Sequence, residues 1–374
     1  MTTAFIGATV FDGTALHRDA VLLTDGQMVT GLSATVPQGA AVIRLTGGIL
    51  APGLIDLQVN GGNGLMVDDQ TDAGTLRVIC ETHAKLGTTG LLPTLITSTP
   101  QATARVIAAA VASISTPGFL GLHLEGPHLD VRRKGAHDPA LIRPMGEEDL
   151  AVLIDAARRL PALMVTLAPS AVRADQITAL AAAGVIVSLG HTECTFAQAE
   201  AAIAAGARCA THLFNAMGPL GHREPGLVGA VLTHDIAAGV IADAIHVAPA
   251  ALRIAVAARP KGLFLVSDCM AAAGSEQQTF TLGGRTIIRR DGRLTLEDGT
   301  LAGADLTLPQ AIAVMVNTVG VPVERALAMA SSIPAQLIGR DDLGHLKAGA
   351  RADLVHLTDA YQVSAVWQGG QKRL

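Results

Sequence analysis

Aromatic side chains are scarce: one Trp, one Tyr and seven Phe in 374 residues, 2% of the chain. A surface that stacks bases or sugar rings on aromatic platforms is thereby excluded, and a polar ligand is left to hydrogen bonds and charge. Charge is also sparse, at 16% of residues and a net −5, with the Lys and Arg residues dispersed, which argues against a face that tracks nucleic-acid phosphates. The four cysteines, Cys80, Cys194, Cys209 and Cys269, form no C-x-x-C pair. A disulfide framework and a cysteine zinc finger are therefore not indicated, in keeping with a reducing compartment. Although 49% of the residues are hydrophobic, no run of about 18 apolar residues escapes interruption by polar ones, so no membrane span is expected. The start, Met1-Thr2-Thr3-Ala4-Phe5 with Asp12 close behind, lacks the basic and then apolar pattern of a secretory signal. The expectation is a cytoplasmic protein.

What is present is length enough for two modules, since a single core stops growing below this size. Residues 3–50 read as short β-type runs broken by Gly, Asp and Pro: Ala8 to Phe11, Ala20 to Leu23, Gln27 to Gly31 and Ala41 to Leu45. After Ala51-Pro52-Gly53 the character changes to apolar runs alternating with Ala-rich amphipathic segments, the pattern of βα units around a parallel sheet. Eight strands are predicted: 53–59, 89–95, 118–124, 162–168, 184–189, 208–213, 237–242 and 262–267. Helices are predicted over 73–86, 102–113, 146–159, 173–183, 195–205 and 249–258, with closing helices over 306–319 and 323–329. The stretch 278–301, with Gly283-Gly284, Asp291-Gly292 and Asp298-Gly299 turns, reads as inserted hairpins. Strands return at 353–357 and 363–368. The predicted fold is α/β: a (β/α)8 TIM-type barrel over 51–345, plus a small β-sandwich made by the chain ends, 1–50 and 346–374.

In such a barrel the active site lies at the C-terminal ends of the strands. Those ends carry Gln58-Val59-Asn60, His123-Leu124-Glu125-Gly126-Pro127, Gly190-His191, Thr211-His212-Leu213-Phe214-Asn215, Asp243-Ala244-Ile245-His246 and Asp268. Glu125, His191 and His212 supply three N/O ligands for zinc or a similar ion with one position left for water, and Gln58 is placed to hold that water. Asp268 is placed to accept a proton from the water and return it to a leaving amine. His137, in Lys134-Gly135-Ala136-His137, is placed to polarise a carbonyl oxygen. Singly, each residue is more often a turn, cap or hydrogen-bonded structural residue, and Arg223 beside Glu224 is most often a surface ion pair. Their joint occurrence on several strand ends reverses that preference.

At this point the chain resembles the N-acetylglucosamine-6-phosphate deacetylases of the amidohydrolase superfamily. The resemblance runs nearly end to end and is densest in Ala51-Pro52-Gly53-Leu54-Ile55-Asp56-Leu57-Gln58-Val59-Asn60-Gly61, in H-L-E-G-P-H from His123, and in A-T-H-L-F-N-A-M from Ala210 followed by Arg223-Glu224-Pro225-Gly226. It implies that Glu125, His191 and His212 bind the metal, that Asp268 is the acid/base, and that His137, with Ala136 beside it, meets the acetyl-bearing part of the substrate. Asn215, the Ala216 backbone, Arg223 and His246 would hold the sugar phosphate. Members are commonly homodimers in which such an Arg and His reach the neighbour's site, so Arg223 or His246 is expected to act across the dimer.

Two departures from the wider superfamily bear on metal count. The first strand has Gln58-Val59-Asn60 in place of H-x-H, and the fourth ends Thr166-Leu167-Ala168-Pro169 with no lysine for a bridging carbamate. One divalent ion per subunit is expected, Zn2+ first, with Fe2+, Mn2+ and Co2+ also suited to two imidazoles and a carboxylate. Cys194 and Cys269, next to the site residues, raise the question of oxidation sensitivity. The competing readings are an amidohydrolase for a related N-acetylated amino-sugar phosphate or a cyclic amide, and a silent sugar-phosphate-binding paralogue. The paralogue would have lost one of Glu125, His191, His212 or Asp268, and none is missing.

Overall fold

The computed structural model describes residues 1–374. Eight parallel strands form one sheet in strict sequence order: Leu54–Val59, Thr88–Ile96, Leu122–Glu125, Leu163–Leu167, Ile186–Leu189, Cys209–Ala210, Ala237–Val240 and Leu263–Leu265. Helices cover the outside and side chains fill the inside, so each strand is covered on both faces. That is why every residue of Leu54–Val59 and of Leu163–Leu167 is buried. All eight predicted barrel strands are found, as are the helices Ala73–Lys85, Pro100–Ala112, Glu147–Arg159, Ala174–Ala182, Phe196–Ala204 and Pro249–Ala258. Local chemistry starts several of them: the Asp72 carboxylate accepts the Thr75 N–H, and Thr195 and Gln198 cap each other's backbone.

The last and first barrel strands are joined by a short seam in place of a ladder. The Asp268 N–H donates to the Gln58 carbonyl at 3.0 Å and the Asn60 N–H to that of Cys269 at 2.9 Å. The Asp56 carboxylate accepts the Gln58 and Ser267 N–H groups, each at 3.1 Å. Burial pushes the Asp56 carboxyl up to about 7. This seam fixes the directions of Gln58 and Asp268, which emerge on either side of it.

The chain ends form two sheets. Strands Thr2–Ile6, Val21–Asp25, Met28–Ser33 and Ala41–Arg44 make the first; the second runs from Gln371–Lys372 through Val363–Gln368, Leu354–Leu357, Ile49–Pro52 and Thr9–Phe11 to Leu16–His17. Ile49–Pro52 lies antiparallel to Leu354–Leu357 and therefore crosses the break expected at residue 50. Between the sheets pack Phe5, Leu22, Val29, Leu50, Leu354 and Trp367, with Phe5 edge-on to Trp367 at 5.0 Å.

The predicted hairpins are a four-stranded antiparallel sheet, Thr279–Leu282, Arg285–Arg290, Arg293–Thr295 and Leu301–Ala304, with its own small apolar core. The expected helix over 306–319 divides into Leu308–Val314 and a π turn, Met315–Val319, ended by Gly320 at φ +87°. Two helices are additional to those predicted, Gly226–Thr233 and Ser332–Leu337. The former is buried nearly all round and starts Gly-Leu-Val-Gly, so it has no amphipathic period to reveal it. No helix is long and apolar enough to cross a membrane.

Candidate active site

Glu125 closes the third barrel strand, while His191 and His212 follow the fifth and sixth. Barrel closure brings their ligand atoms within 4.8 Å of one another, all three buried. Glu125 Oε1 lies 3.1 Å from His191 Nε2 and 2.9 Å from His212 Nε2, and the two Nε2 atoms are 3.1 Å apart. His191 Nδ1 donates to the Arg133 carbonyl at 2.8 Å, so in the neutral ring its Nε2 presents a lone pair to a carboxylate. Lone pairs converge there on a common point, which is the donor set a divalent cation requires. Glu125 is held well below the ordinary carboxylate range by the two imidazoles, against the opposing effect of burial.

Asp268 follows the eighth strand and faces this cluster. Its Oδ1 accepts from Asn60 Nδ2 at 2.7 Å and from Gln58 Nε2 at 3.1 Å. Gln58 Nε2 also lies 3.2 Å from Glu125 Oε2, so one amide bridges both carboxylates. Burial and the Glu125 charge push the Asp268 carboxyl up to about 6. His191, His212 and Asp268 have φ values of +46°, +28° and +49°. Each non-glycine in this region costs on the order of 1–3 kcal/mol, a strain that clusters where side chains must be aimed.

His137 stands with its ring 4.4 Å from that of His191. Its Nδ1 accepts the Thr97 N–H at 3.3 Å and lies 2.7 Å from Thr97 Oγ1, which leaves the proton on Nε2. Burial, with the His191 charge next, pushes its pKa down to about 3. The ring is therefore a neutral donor, the form that polarises a carbonyl without surrendering a proton.

A cavity of about 550 Å³ opens over these groups, and Glu125, Ala136, His137, His191, His212, Asn215, Ala216, His246 and Asp268 line it. His246 is held by Asp243, whose Oδ2 lies 2.6 Å from Nδ1, and it faces the cavity of its own chain. Arg223 does not: it is exposed, outside the lining and without an ion pair, because Glu224 instead accepts the Phe196 N–H at 2.6 Å. The surface pair with Glu224 that Arg223 taken alone would most often make is therefore not formed. Gln58, for which a place beside bound water was expected, is buried between the two carboxylates and outside the cavity lining. Sequence reading passed over Gly299, Thr300 and Leu301, which also line the cavity. Their Asp298-Gly299 turn marked a hairpin, but nothing in it indicated which way the hairpin leans. Cys194 and Cys269 are buried, lie outside the lining, and burial raises both thiols, so neither presents a ready thiolate.

A barrel with a buried carboxylate–imidazole cluster at its C-terminal mouth and a raised carboxyl facing it is the arrangement found in metal-dependent hydrolases. Residues 49–372 match the Amidohydrolase family. The chain is 38% identical to N-acetylgalactosamine-6-phosphate deacetylase of Shewanella sp. (strain ANA-3), over 98% of this chain and 94% of that one. It is 36% identical to N-acetylglucosamine-6-phosphate deacetylase of Haemophilus influenzae, over 97% of each. The crystal structure of N-acetylglucosamine-6-phosphate deacetylase from Pasteurella multocida superposes with a TM-score of 0.96 at 35% identity, covering 100% of this chain and 99% of that one. The chain belongs to the amidohydrolase family and is a hydrolytic, amide-cleaving enzyme.

Proposed function

We propose that the enzyme removes the acetyl group from N-acetyl-D-glucosamine 6-phosphate, giving D-glucosamine 6-phosphate and acetate in amino-sugar catabolism. The observation that carries this reading is the cavity itself. A proton-accepting carboxyl, a neutral imidazole donor and a cation-binding cluster share its floor, and His246, Asn215 and the Ala216 backbone stand on its wall. Glu125, His191 and His212 hold one divalent ion, Zn2+ by preference. When bound, the ion supplies Lewis-acid chemistry that makes water a nucleophile near neutral pH. Asp268 takes the proton of the attacking water and returns it to the amine as the C–N bond breaks. His137 Nε2–H, beside Ala136, donates to the acetyl oxygen. One ion per subunit is supported by the amides of Gln58 and Asn60, which donate to Asp268 and Glu125 on the side where other family members use imidazoles for a second ion.

The second reading is the same reaction on an N-acetylated amino-sugar phosphate of different stereochemistry. It is favoured by the 38% identity to a relative named for the galactosamine epimer. Acetate release from N-acetylglucosamine 6-phosphate, its galactosamine epimer and unphosphorylated N-acetylglucosamine separates the readings. Fastest turnover on the first, slow turnover on the third, and loss on chelation with recovery on zinc addition are expected. No release from any of the three by zinc-loaded enzyme would defeat both readings.

We also infer a cytoplasmic homodimer in which Arg223 enters the partner's cavity and meets the substrate phosphate, while His246 acts within its own chain. The support is the free guanidinium of Arg223 and the exposed Leu220 on the same loop. Arg223→Ala should raise KM by roughly 10–100-fold, the equivalent of about 1.5–3 kcal/mol of charge-assisted hydrogen bonding, with kcat changed little. Mixed dimers of Arg223→Ala and Asp268→Asn subunits should regain one site with wild-type KM. An unchanged KM in the Arg223→Ala dimer would remove Arg223 from phosphate binding.

A further inference from the structure

Beneath the carboxylate–imidazole cluster a row of polar side chains crosses the mainly apolar barrel core. Ser188 Oγ lies 2.6 Å from Thr211 Oγ1, Thr211 Oγ1 lies 2.6 Å from Thr166 Oγ1, and Thr166 Oγ1 lies 2.7 Å from His123 Nε2. All four residues are buried. The direction of this chain follows from its far end. His123 Nδ1 faces the Leu57 carbonyl at 3.1 Å, an acceptor only, so Nδ1 carries the proton and Nε2 accepts from Thr166. Thr166 then accepts from Thr211, and Thr211 from Ser188. The Ser188 hydroxyl thus spends its one donor on Thr211, and its oxygen remains free to accept.

The matching loose end is on His212. Its Nε2 faces Glu125 and His191, whereas its Nδ1 is buried with no hydrogen-bond partner. His191 has no such deficit, since the Arg133 carbonyl takes its Nδ1 proton. His212, Thr211, Ser188, His123 and Gln58, with apolar neighbours such as Met164 and Phe264, line a small cavity of about 10 Å³, at the lower limit of what admits a single water.

We propose that one buried water in this cavity accepts the His212 Nδ1 proton and donates to Ser188 Oγ, making Ser188 and Thr211 positioning residues for His212. The water and hydroxyl chain hold the ring in the tautomer whose Nε2 lone pair faces the ion. Imidazole ligands depend on such an acceptor at the second nitrogen for tautomer and orientation. The inference rests on the proposed metal site and extends it inward by two layers.

The test is zinc affinity of the full chain, by competition with a chromophoric chelator. Ser188→Ala and Thr211→Val should each weaken zinc binding roughly 10–100-fold, while Thr211→Ser, which keeps the hydroxyl, stays near wild type. The Tm of the chelated proteins should change little, which distinguishes lost positioning from a damaged core. A high-resolution crystal structure of the wild type should hold one water within hydrogen-bond distance of His212 Nδ1 and Ser188 Oγ. A dry cavity, or wild-type zinc affinity in both Ser188→Ala and Thr211→Val, overturns the proposal. Glu125→Gln separates the two levels: zinc lost there but kept in the hydroxyl variants leaves the metal site standing and removes the water. A wild type that binds no zinc removes both.

Discussion

Asp268→Asn should retain metal and lose turnover by roughly 10²–10⁴-fold, the usual worth of a positioned acid/base. The amide keeps the shape of the carboxylate and its place beside Asn60 and Gln58, but it accepts no proton from water. Metal analysis beside steady-state kinetics decides the matter, and a variant with wild-type kcat would require another base. The pH profile carries the same information. Asp268 acts ionised, and its carboxyl is pushed up to about 6 by burial and by Glu125. As pH falls through that value the base is protonated and inactive, so kcat/KM should drop about tenfold per unit on the acid side. A bound cation stabilises the carboxylate and moves this limb to pH 6 or below. A limb that persists unchanged in Asp268→Asn would assign it to another group.

Glu125→Gln should bring metal content from about one ion per chain to near zero, and turnover with it. Glu125 is the only anion among the three ligands, and its oxygen lies within 3.1 Å of both imidazole nitrogens. Replacing it leaves a neutral site of two imidazoles and an amide, which binds divalent ions weakly. Metal counts by mass spectrometry on dialysed protein, alongside acetate release, measure both effects. Counts near two per chain in active wild type would contradict the single-ion reading, and full metal retention in Glu125→Gln would move the ion elsewhere.

The barrel was readable in the sequence because its strands are buried on both faces and appear as mainly apolar runs, and because the residue at the end of each run is the one delivered to the mouth. Glu125, His191, His212 and Asp268 were legible for that reason. The chain ends were harder. Their strands are short, and Thr2–Ile6 and Ile49–Pro52 draw their partners from far along the chain, so no local alternation announces the two sheets. Helix Gly226–Thr233 has no polar face to set a period. Arg223 illustrates a different limit: its motif is plain, but whether its side chain enters its own cavity depends on how a loop is tethered, here by Glu224 to the Phe196 N–H. The orphan nitrogen of His212 and the small cavity below it are products of packing across seven barrel strands and leave no trace in residue order.

The pairing of Ile49–Pro52 with Leu354–Leu357 also sets a timetable for synthesis. A ribosome adding about 5–20 residues per second needs roughly 15–60 s between these two strands. For that interval the N-terminal strands wait without the central partners of their larger sheet, and the sandwich is completed last although it begins first. A nascent chain stalled before the final three strands should therefore carry a barrel close to finished and an N-terminal segment still open to proteases.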